Sequence, residues 1–340
     1  MIKILTIDGG GIRGVLPSKL LTRIEEIIQK NTGDNNAKIG DYFDMISGTS
    51  TGGILSLFLL CSNEKGNAKY TAKEAVENYL EHGPKIFEKS TDVSTQSNGE
   101  IIGQKYSTDN LESFLKNKFG DELWLSDLIK PCLITSYDIE NNKVLLFNQF
   151  NSKNPNYDFK VWQVARATSA APTYFETAKI TSRNGKMYSL IDGGVFAYNP
   201  SLCAYVEAKK HFKQLKGKFV SAKDIFMVSL GTLSSEKPKI LENANFWDVS
   251  QWFKYLTDIM MSGSAETVDH QLQHIFESEN SSEQYIRLEP NMGSSEFDMD
   301  CVTKENLKAL NIAGKNSAKI FEDKLNYIAE KLVAYKKIEA

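Results

Sequence analysis

The chain has 340 residues and a formal net charge of −3, which gives no general attraction to nucleic acid or to an anionic lipid surface. No apolar run is long enough to span a membrane, and the first residues predict a strand rather than a cleavable leader. Its four cysteines lack metal or redox spacing, which is typical of reduced, mostly buried thiols: Cys61, Cys132, Cys203 and Cys301. We therefore expect a cytoplasmic protein.

The first predicted element is a buried strand, Ile2–Ile7, followed by a glycine-rich loop at 8–14 and an apolar helix. Backbone N–H groups at such a helix start suit a phosphate or the oxyanion of an acyl-transfer intermediate. Gly9, Gly11 and Gly14 also satisfy the dinucleotide fingerprint, but no acidic residue ends a second strand about 20 residues later. A nucleotide-binding or signalling module therefore stays open only as an alternative.

The second predicted strand, 42–46, leads into the turn Gly48-Thr49-Ser50-Thr51-Gly52, and an apolar helical run follows at 54–60. A serine on a sharp turn between strand and helix presents its hydroxyl at the end of a sheet. The glycines two residues on either side, Gly48 and Gly52, leave room for that strained turn. This is the setting that a nucleophilic serine needs.

Strands and helices alternate through the rest of the chain, which predicts an α/β fold with a mainly parallel sheet between helical layers. We expect a single domain over 1–340, because the candidate site residues are spread over the first two thirds of the chain. An amphipathic helix at about 303–337 is predicted to cover the sheet. The other predicted elements are helices at 72–87, at 161–169 and from Pro200, and strands at 132–137, at 143–147, before Asp192 and at Ile225–Leu230.

Asp192-Gly193-Gly194 directly follows a predicted strand, so its carboxylate could approach another loop closely; a simple turn or cap is the competing interpretation. A Ser-His-Asp triad of the α/β-hydrolase order would need a histidine after the acid. None of the four histidines is predicted at such a place; they are expected at surface, interfacial or solvated positions: His82, His211, His270 and His274. Their absence from the expected place favours Asp192 itself as the base that activates Ser50.

These three glycine-flanked corners, in this order, resemble the motifs of the patatin-like phospholipases, both of plant patatins and of bacterial relatives. Further stretches that support the resemblance lie at 41–44, 167–175 and 227–232. It implies a three-layer α/β/α fold with a Ser50/Asp192 catalytic dyad and an acid loop at Gly193 and Gly194. It also implies an oxyanion hole formed or braced by Gly9, Gly10, Gly11 and Arg13, without metal or cofactor.

The resemblance implies a lipid acyl hydrolase that releases fatty acids from phospholipids or related glycerolipids through an acyl-Ser50 intermediate. Its partner would be the membrane lipid, met by transient peripheral contact, with no nucleic acid involved. An acyltransferase on the same dyad stays open, as does a role as a membrane-degrading defence effector.

Two segments have an open role. The polar segment 89–103 is a candidate lid or an insertion without function. An apolar, aromatic stretch either touches lipid or, as we expect, forms a helix whose side chains pack into the protein core: Trp247, Trp252, Phe253, Tyr255, Met260 and Met261.

Overall fold

The computed structural model describes residues 1–63, 65–89, 94–95, 101–102, 104–217, 219–232, 249–296 and 298–339. Within these residues, eight strands form one sheet, in the order β10-β9-β1-β2-β5-β8-β7 with β6 also paired to β5. Its strands are β1 (Ile2–Ile7), β2 (Met45–Gly48), β5 (Cys132–Asp138), β6 (Lys143–Asn148), β7 (Ala178–Thr181), β8 (Met187–Asp192), β9 (Ile225–Leu230) and β10 (Tyr285–Leu288), while β3 (Ser94–Thr95) and β4 (Ile101–Ile102) form a separate pair.

Helices cover both faces of this sheet. They are α1 (Val15–Thr32), α2 (Thr51–Leu60), α3 (Ala72–Ile86), α4 (Thr108–Phe119), α5 (Val161–Thr168), α6 (Gly194–Ala197), α7 (Ser201–Lys216), α8 (Val249–Ser278), α9 (Lys304–Ile320) and α10 (Glu322–Glu339). The side chains of β1 alternate between the layers: Leu5 and Ile7 pack in the core that contains α1 and α2, whereas Ile2 and Ile4 pack in the core that contains α7 and α8. The sequence of β1 is almost continuously apolar because the strand is buried on both faces. The predicted three-layer fold is therefore confirmed.

The sheet is parallel from β10 through β9, β1 and β2 to β5, and antiparallel beyond. β6 and β8 both run antiparallel to β5, and β7 runs antiparallel to β8. The prediction of a mainly parallel sheet is therefore confirmed, but β8, the strand that carries Asp192, runs antiparallel to the five parallel strands.

Two predicted boundaries are wrong. The second strand starts at Met45 rather than at residue 42, because Ile39–Tyr42 form a 3₁₀ turn. The predicted C-terminal helix is two helices that meet at Phe321, next to the ion pair that Glu322 forms with Arg23 of α1. An unbroken helix over this segment would be about 50 Å long. The break instead lets α9 and α10 both pack along α1.

The expectation that the aromatic stretch packs in the core is wrong for Trp252 and Met260. Trp252 and Met260 of α8 are exposed, and Met261 is partly buried against Tyr198. Trp247 and the side chains of Phe253 and Tyr255 lie outside the described residues, as does most of the candidate lid at 89–103.

The start of α2 is pressed against the ends of β1 and β2. A Cβ atom at Gly52 would lie 2.2 Å from the carbonyl oxygen of Ile7 and 2.6 Å from that of Asp8. A Cβ atom at Gly48 would lie 2.1 Å from the carbonyl oxygen of Gly52. These contacts are with backbone, which cannot move aside as a flexible side chain can, so both positions require glycine.

We predict that Gly52→Ala lowers the free energy of unfolding by about 3 kcal/mol, because the new methyl group overpacks against backbone. Gly263→Ala is the matched control, because Gly263 lies within α8 and nothing approaches its Cβ position within 4 Å. It should stabilise the protein by about 0.5–1 kcal/mol through helix propensity. Urea unfolding measures both variants, and an equal effect of the two would contradict the packing argument.

Candidate active site

β2, which leads to Ser50, and β8, which ends at Asp192, lie along the same edge of β5 with their C-terminal ends facing each other. β6 pairs with nearly the whole of β5 and so occupies the other edge. On the shared edge, Gly48 at the end of β2 lies opposite Ile134, and Asp192 at the end of β8 lies opposite Ser136. The two strand ends are thus two residues of β5 apart, or about 7 Å. This arrangement brings the serine turn and the aspartate together.

Ser50 occupies a strained turn between β2 and α2. Its φ of 54° and ψ of −122° are rare for a residue with a side chain. Its backbone N–H donates to Thr168 Oγ1 at 2.9 Å, and its carbonyl oxygen accepts from the N–H of Ile54 at 3.0 Å, which begins the helix. The turn is therefore held from both sides, and it is the strand-turn-helix setting that the sequence predicts for a nucleophilic serine.

The carboxylate of Asp192 is almost completely buried and lies beside Ser50. It accepts hydrogen bonds from the Ser50 hydroxyl and, at 2.7 Å, from the N–H of Gly194. Burial raises the pKa of Asp192 to about 7, although both hydrogen bonds lower it. Gly193 must lack a side chain, since its Cβ would lie 2.1 Å from Thr135 Oγ1. A carboxyl group with this pKa can accept a proton near neutral pH.

The glycine loop after β1 offers two backbone donors rather than three. The N–H of Gly9 donates to the carbonyl oxygen of Tyr198 at 3.1 Å, so Gly9 has no free amide, contrary to the expectation from the resemblance. The N–H groups of Gly10 and Gly11 find no acceptor within the described part of the chain. Their φ angles, 147° and 57°, are ones that glycine adopts readily. Such unpaired, adjacent amides are suited to bind an oxyanion.

Arg13 is buried and braces this loop from behind. Its Nε donates to the carbonyl oxygen of Gly10 at 3.2 Å, and its Nη2 donates to the Tyr198 hydroxyl at 3.3 Å. Tyr198 in turn bonds Thr232 Oγ1 at 2.8 Å, and Thr232 donates to the carbonyl oxygen of Gly9. Thr232 belongs to one of the stretches that support the family resemblance, whereas no sequence pattern indicates Tyr198. Together these contacts fix the direction of the loop amides.

A buried ion pair anchors the end of β1, where the glycine loop begins. Arg287 of β10 bonds both carboxylate oxygens of Asp8, at 3.0 and 2.5 Å, as well as Ser229 Oγ at 2.8 Å and Glu289 at 2.7 Å. Burial opposes the charge of Arg287, but attraction to Asp8 and Glu289 raises its pKa well above the usual range. Nothing in the sequence singles out this arginine, because one basic residue in a short strand carries no motif.

None of the four histidines lines the cavities around Ser50 and Asp192. His270 and His274 are exposed on one face of α8, with ring centroids 4.4 Å apart. The prediction that His211 is solvated is wrong: it is buried, stacks on Phe150 and bonds Glu207 at 2.9 Å. Its helix, α7, packs that face against the sheet instead of ending in solvent.

Ser50 and Asp192 lie at the junction of two cavities. The first is mostly apolar and includes Ser50. The second is larger and includes Asp192 and Lys105. Both cavities share the side chains of Ala171, Tyr174 and Met299. The apolar lining of the first comprises Ile12, Ile54, Ile86, Phe87, Leu111, Phe114 and Phe175.

The described residues contain no group of three or more His, Cys, Asp or Glu side chains that could hold a metal ion. Within the same residues, no helix is both long enough and apolar enough to cross a bilayer.

Comparison with known proteins agrees with this geometry. The family model for patatin-like phospholipases matches residues 5–202. Patatin-T5 of Solanum tuberosum is 30% identical over 363 aligned residues, which cover all of this chain and 92% of the relative, and Patatin-17 of Solanum cardiophyllum is 31% identical with the same coverage. The crystal structure of VipD from Legionella pneumophila aligns over 95% of this chain and 67% of its own at 12% identity, and its TM-score of 0.39 is too low to support an argument. The family match spans more than half of the sequence, so this chain belongs to the patatin-like phospholipases, a family of lipid acyl hydrolases.

Proposed function

We propose that the protein releases fatty acids from phospholipids or related glycerolipids through an acyl-Ser50 intermediate. The observation that carries this proposal is the hydrogen bond from the Ser50 hydroxyl to a buried Asp192 carboxylate, at the junction of an apolar cavity and a larger, more polar one. A hydroxyl bonded to a base is the arrangement that nucleophilic catalysis needs.

The residues present support both halves of an acyl-transfer reaction. Asp192 takes the proton of Ser50 while Oγ attacks the ester carbonyl carbon, and the N–H groups of Gly10 and Gly11 stabilise the negative oxygen that forms. The tetrahedral intermediate then expels the glycerol-side alcohol, which receives the proton from Asp192. Water activated by the same carboxylate next releases the fatty acid and restores the Ser50 hydroxyl.

The two cavities suit the two parts of a glycerolipid. The walls of the first cavity, among them Phe87 and Phe114, are apolar, so an acyl chain bound there would be removed from water. The second cavity contains Lys105, whose side chain is 47% exposed, and it has room for the polar remainder of the lipid. The ester between these parts would then lie beside Ser50 and Asp192.

An exposed apolar face on α8 supports transient peripheral contact with a membrane by a cytoplasmic protein. Trp252, Leu256, Ile259 and Met260 recur at helical spacing and are each more than two-fifths exposed. Met260 also lines the cavity that contains Asp192, so this face is continuous with the route to the site. Insertion of these side chains into a lipid surface would place the cavity beside its substrate.

We expect Ser50→Ala and Asp192→Asn each to lower hydrolysis by about 10⁴-fold, since each removes one member of a unit that acts together. The assay incubates each purified protein with a mixed membrane lipid extract and identifies released fatty acids and lyso products by mass spectrometry. His270→Ala is the control and should keep the wild-type rate. Fatty acid release by Ser50→Ala, or none by the wild type, would contradict the proposal, and preferential transfer to an added alcohol would indicate an acyltransferase.

The pH dependence should follow Asp192, whose pKa is raised to about 7 and which must be ionised to act as a base. We therefore expect kcat/KM to rise with pH through about 7 and then level off.

Because the pKa of Asp192 in the folded protein lies above its value in the unfolded chain, the carboxylate destabilises the fold progressively as pH rises from about 4 to above 7. Asp192→Asn should thus be more stable than the wild type at pH 8 by about 1–4 kcal/mol, and this difference in urea unfolding should vanish near pH 4. A difference independent of pH would rule out this origin.

The membrane proposal predicts that Leu256→Glu weakens binding to neutral phosphatidylcholine vesicles by about tenfold or more, because a charge replaces an apolar contact. Ile312→Glu is the matched control: Ile312 is 48% exposed in α9, compared with 45% for Leu256 in α8. Vesicle co-sedimentation measures both. Equal loss of binding in the two variants would show that α8 is not the contact surface.

A further inference from the structure

A three-residue segment at the C-terminal end of α5, 168–170, contacts both members of the dyad. Thr168 Oγ1 accepts the backbone N–H of Ser50 at 2.9 Å. Two residues later, the carbonyl oxygen of Ala170 accepts the backbone N–H of Asp192 at 3.0 Å. Ser169 therefore lies between the residue that tethers the nucleophile and the residue that tethers the base.

The Ser169 hydroxyl is buried and has no hydrogen-bond partner among the described residues. It lines the apolar cavity that contains Ser50, and Ser169 is only 8% exposed. Two other polar side chains of this cavity are already paired: Tyr79 donates to the carbonyl oxygen of Thr51, and Asn78 donates to that of Glu74. An unpaired buried hydroxyl is unfavourable, so it calls for a ligand that satisfies it.

Thr51 Oγ1 also lacks a partner, but it is packed tightly against another part of the site. A Cβ atom at Gly14 would lie 2.3 Å from it, so this hydroxyl faces the start of α1. Of these two hydroxyls, that of Ser169 belongs to the residue whose chain neighbours on either side bond Ser50 and Asp192.

We propose that Ser169 is a positioning residue that holds the hydrolytic water for attack on acyl-Ser50. This inference rests on the proposed hydrolase function and concerns its second step. A water in a mostly apolar cavity needs two or more polar partners. Asp192 and Ser169 would supply them from either side of the acyl group.

The step balances with water as the co-reactant. The water oxygen forms a bond to the acyl carbon while Asp192 takes one water proton. The tetrahedral intermediate then collapses, the bond from the acyl carbon to Ser50 Oγ breaks, and Oγ takes the proton from Asp192. The free fatty acid leaves. Acylation uses no water, so loss of the Ser169 hydroxyl should slow only deacylation.

The test is Ser169→Ala, assayed with a p-nitrophenyl fatty ester, whose good leaving group makes deacylation limit turnover. We expect kcat and KM to fall together by about tenfold while kcat/KM, which reports acylation, stays unchanged. A burst of nearly one nitrophenol per protein should precede the slow phase, and intact-mass spectrometry should detect the acyl group on the protein. If Ser169→Ala does not fold, Ser169→Cys keeps the volume with a weaker donor and is measured in its place.

Ser56→Ala is the matched control for loss of a buried hydroxyl, because Ser56 Oγ bonds the carbonyl oxygen of Gly52 within α2 and lines neither cavity. It should leave kcat, KM and the acyl-enzyme level each unaltered. An equal fall of kcat and kcat/KM in Ser169→Ala, or no change in either, would overturn the inference. A wild type that neither forms an acyl-enzyme nor turns over would instead overturn the proposed function.

Discussion

The close backbone contact between the start of α2 and the ends of β1 and β2 is the constraint on which the site depends. Gly52 lies against the carbonyl oxygens of Ile7 and Asp8, and Gly48 lies against Gly52 itself. Only without side chains at these positions can the chain turn so sharply that Ser50 takes a positive φ. The same contact places Ser50 beside the glycine loop that follows β1, so the Ser50 side chain and the amides of this loop lie close together.

The site contains two buried carboxylates with opposite environments. Asp8 is paired with Arg287 and fastens the end of β1. The carboxylate of Asp192 pairs with no cation among the described residues, and its partners within them are the Ser50 hydroxyl and the Gly194 N–H. Burial raises the pKa of both carboxyl groups, but the Arg287 guanidinium opposes this rise at Asp8, whereas no described cation opposes it at Asp192. This difference explains why one aspartate has a structural role and the other is suited to accept a proton.

The prediction of local structure succeeded where the pattern is local. A short apolar run predicts the strand at Ile225–Leu230, and glycines two residues on either side of Ser50 predict the turn around it. It failed where distant packing decides: α9 and α10 separate at Phe321 so that both follow α1, and His211 is buried because α7 packs it onto Phe150. The exposure of Trp252 is a third case, since helical spacing alone cannot tell an apolar core face from an apolar outer face.

The sequence by itself determined the three glycine-flanked corners and the order in which they occur, because tight turns and helix starts demand particular residues at particular spacings. It also indicated that Asp192 rather than a histidine acts on Ser50. Only the tertiary structure decided that Gly9 has no free amide, that Arg13 and Tyr198 brace the loop, and that Ser169 lies between nucleophile and base. The reason is that these relations depend on β2 and β8 both pairing with one edge of β5, which brings together two segments more than 100 residues apart and leaves no local pattern.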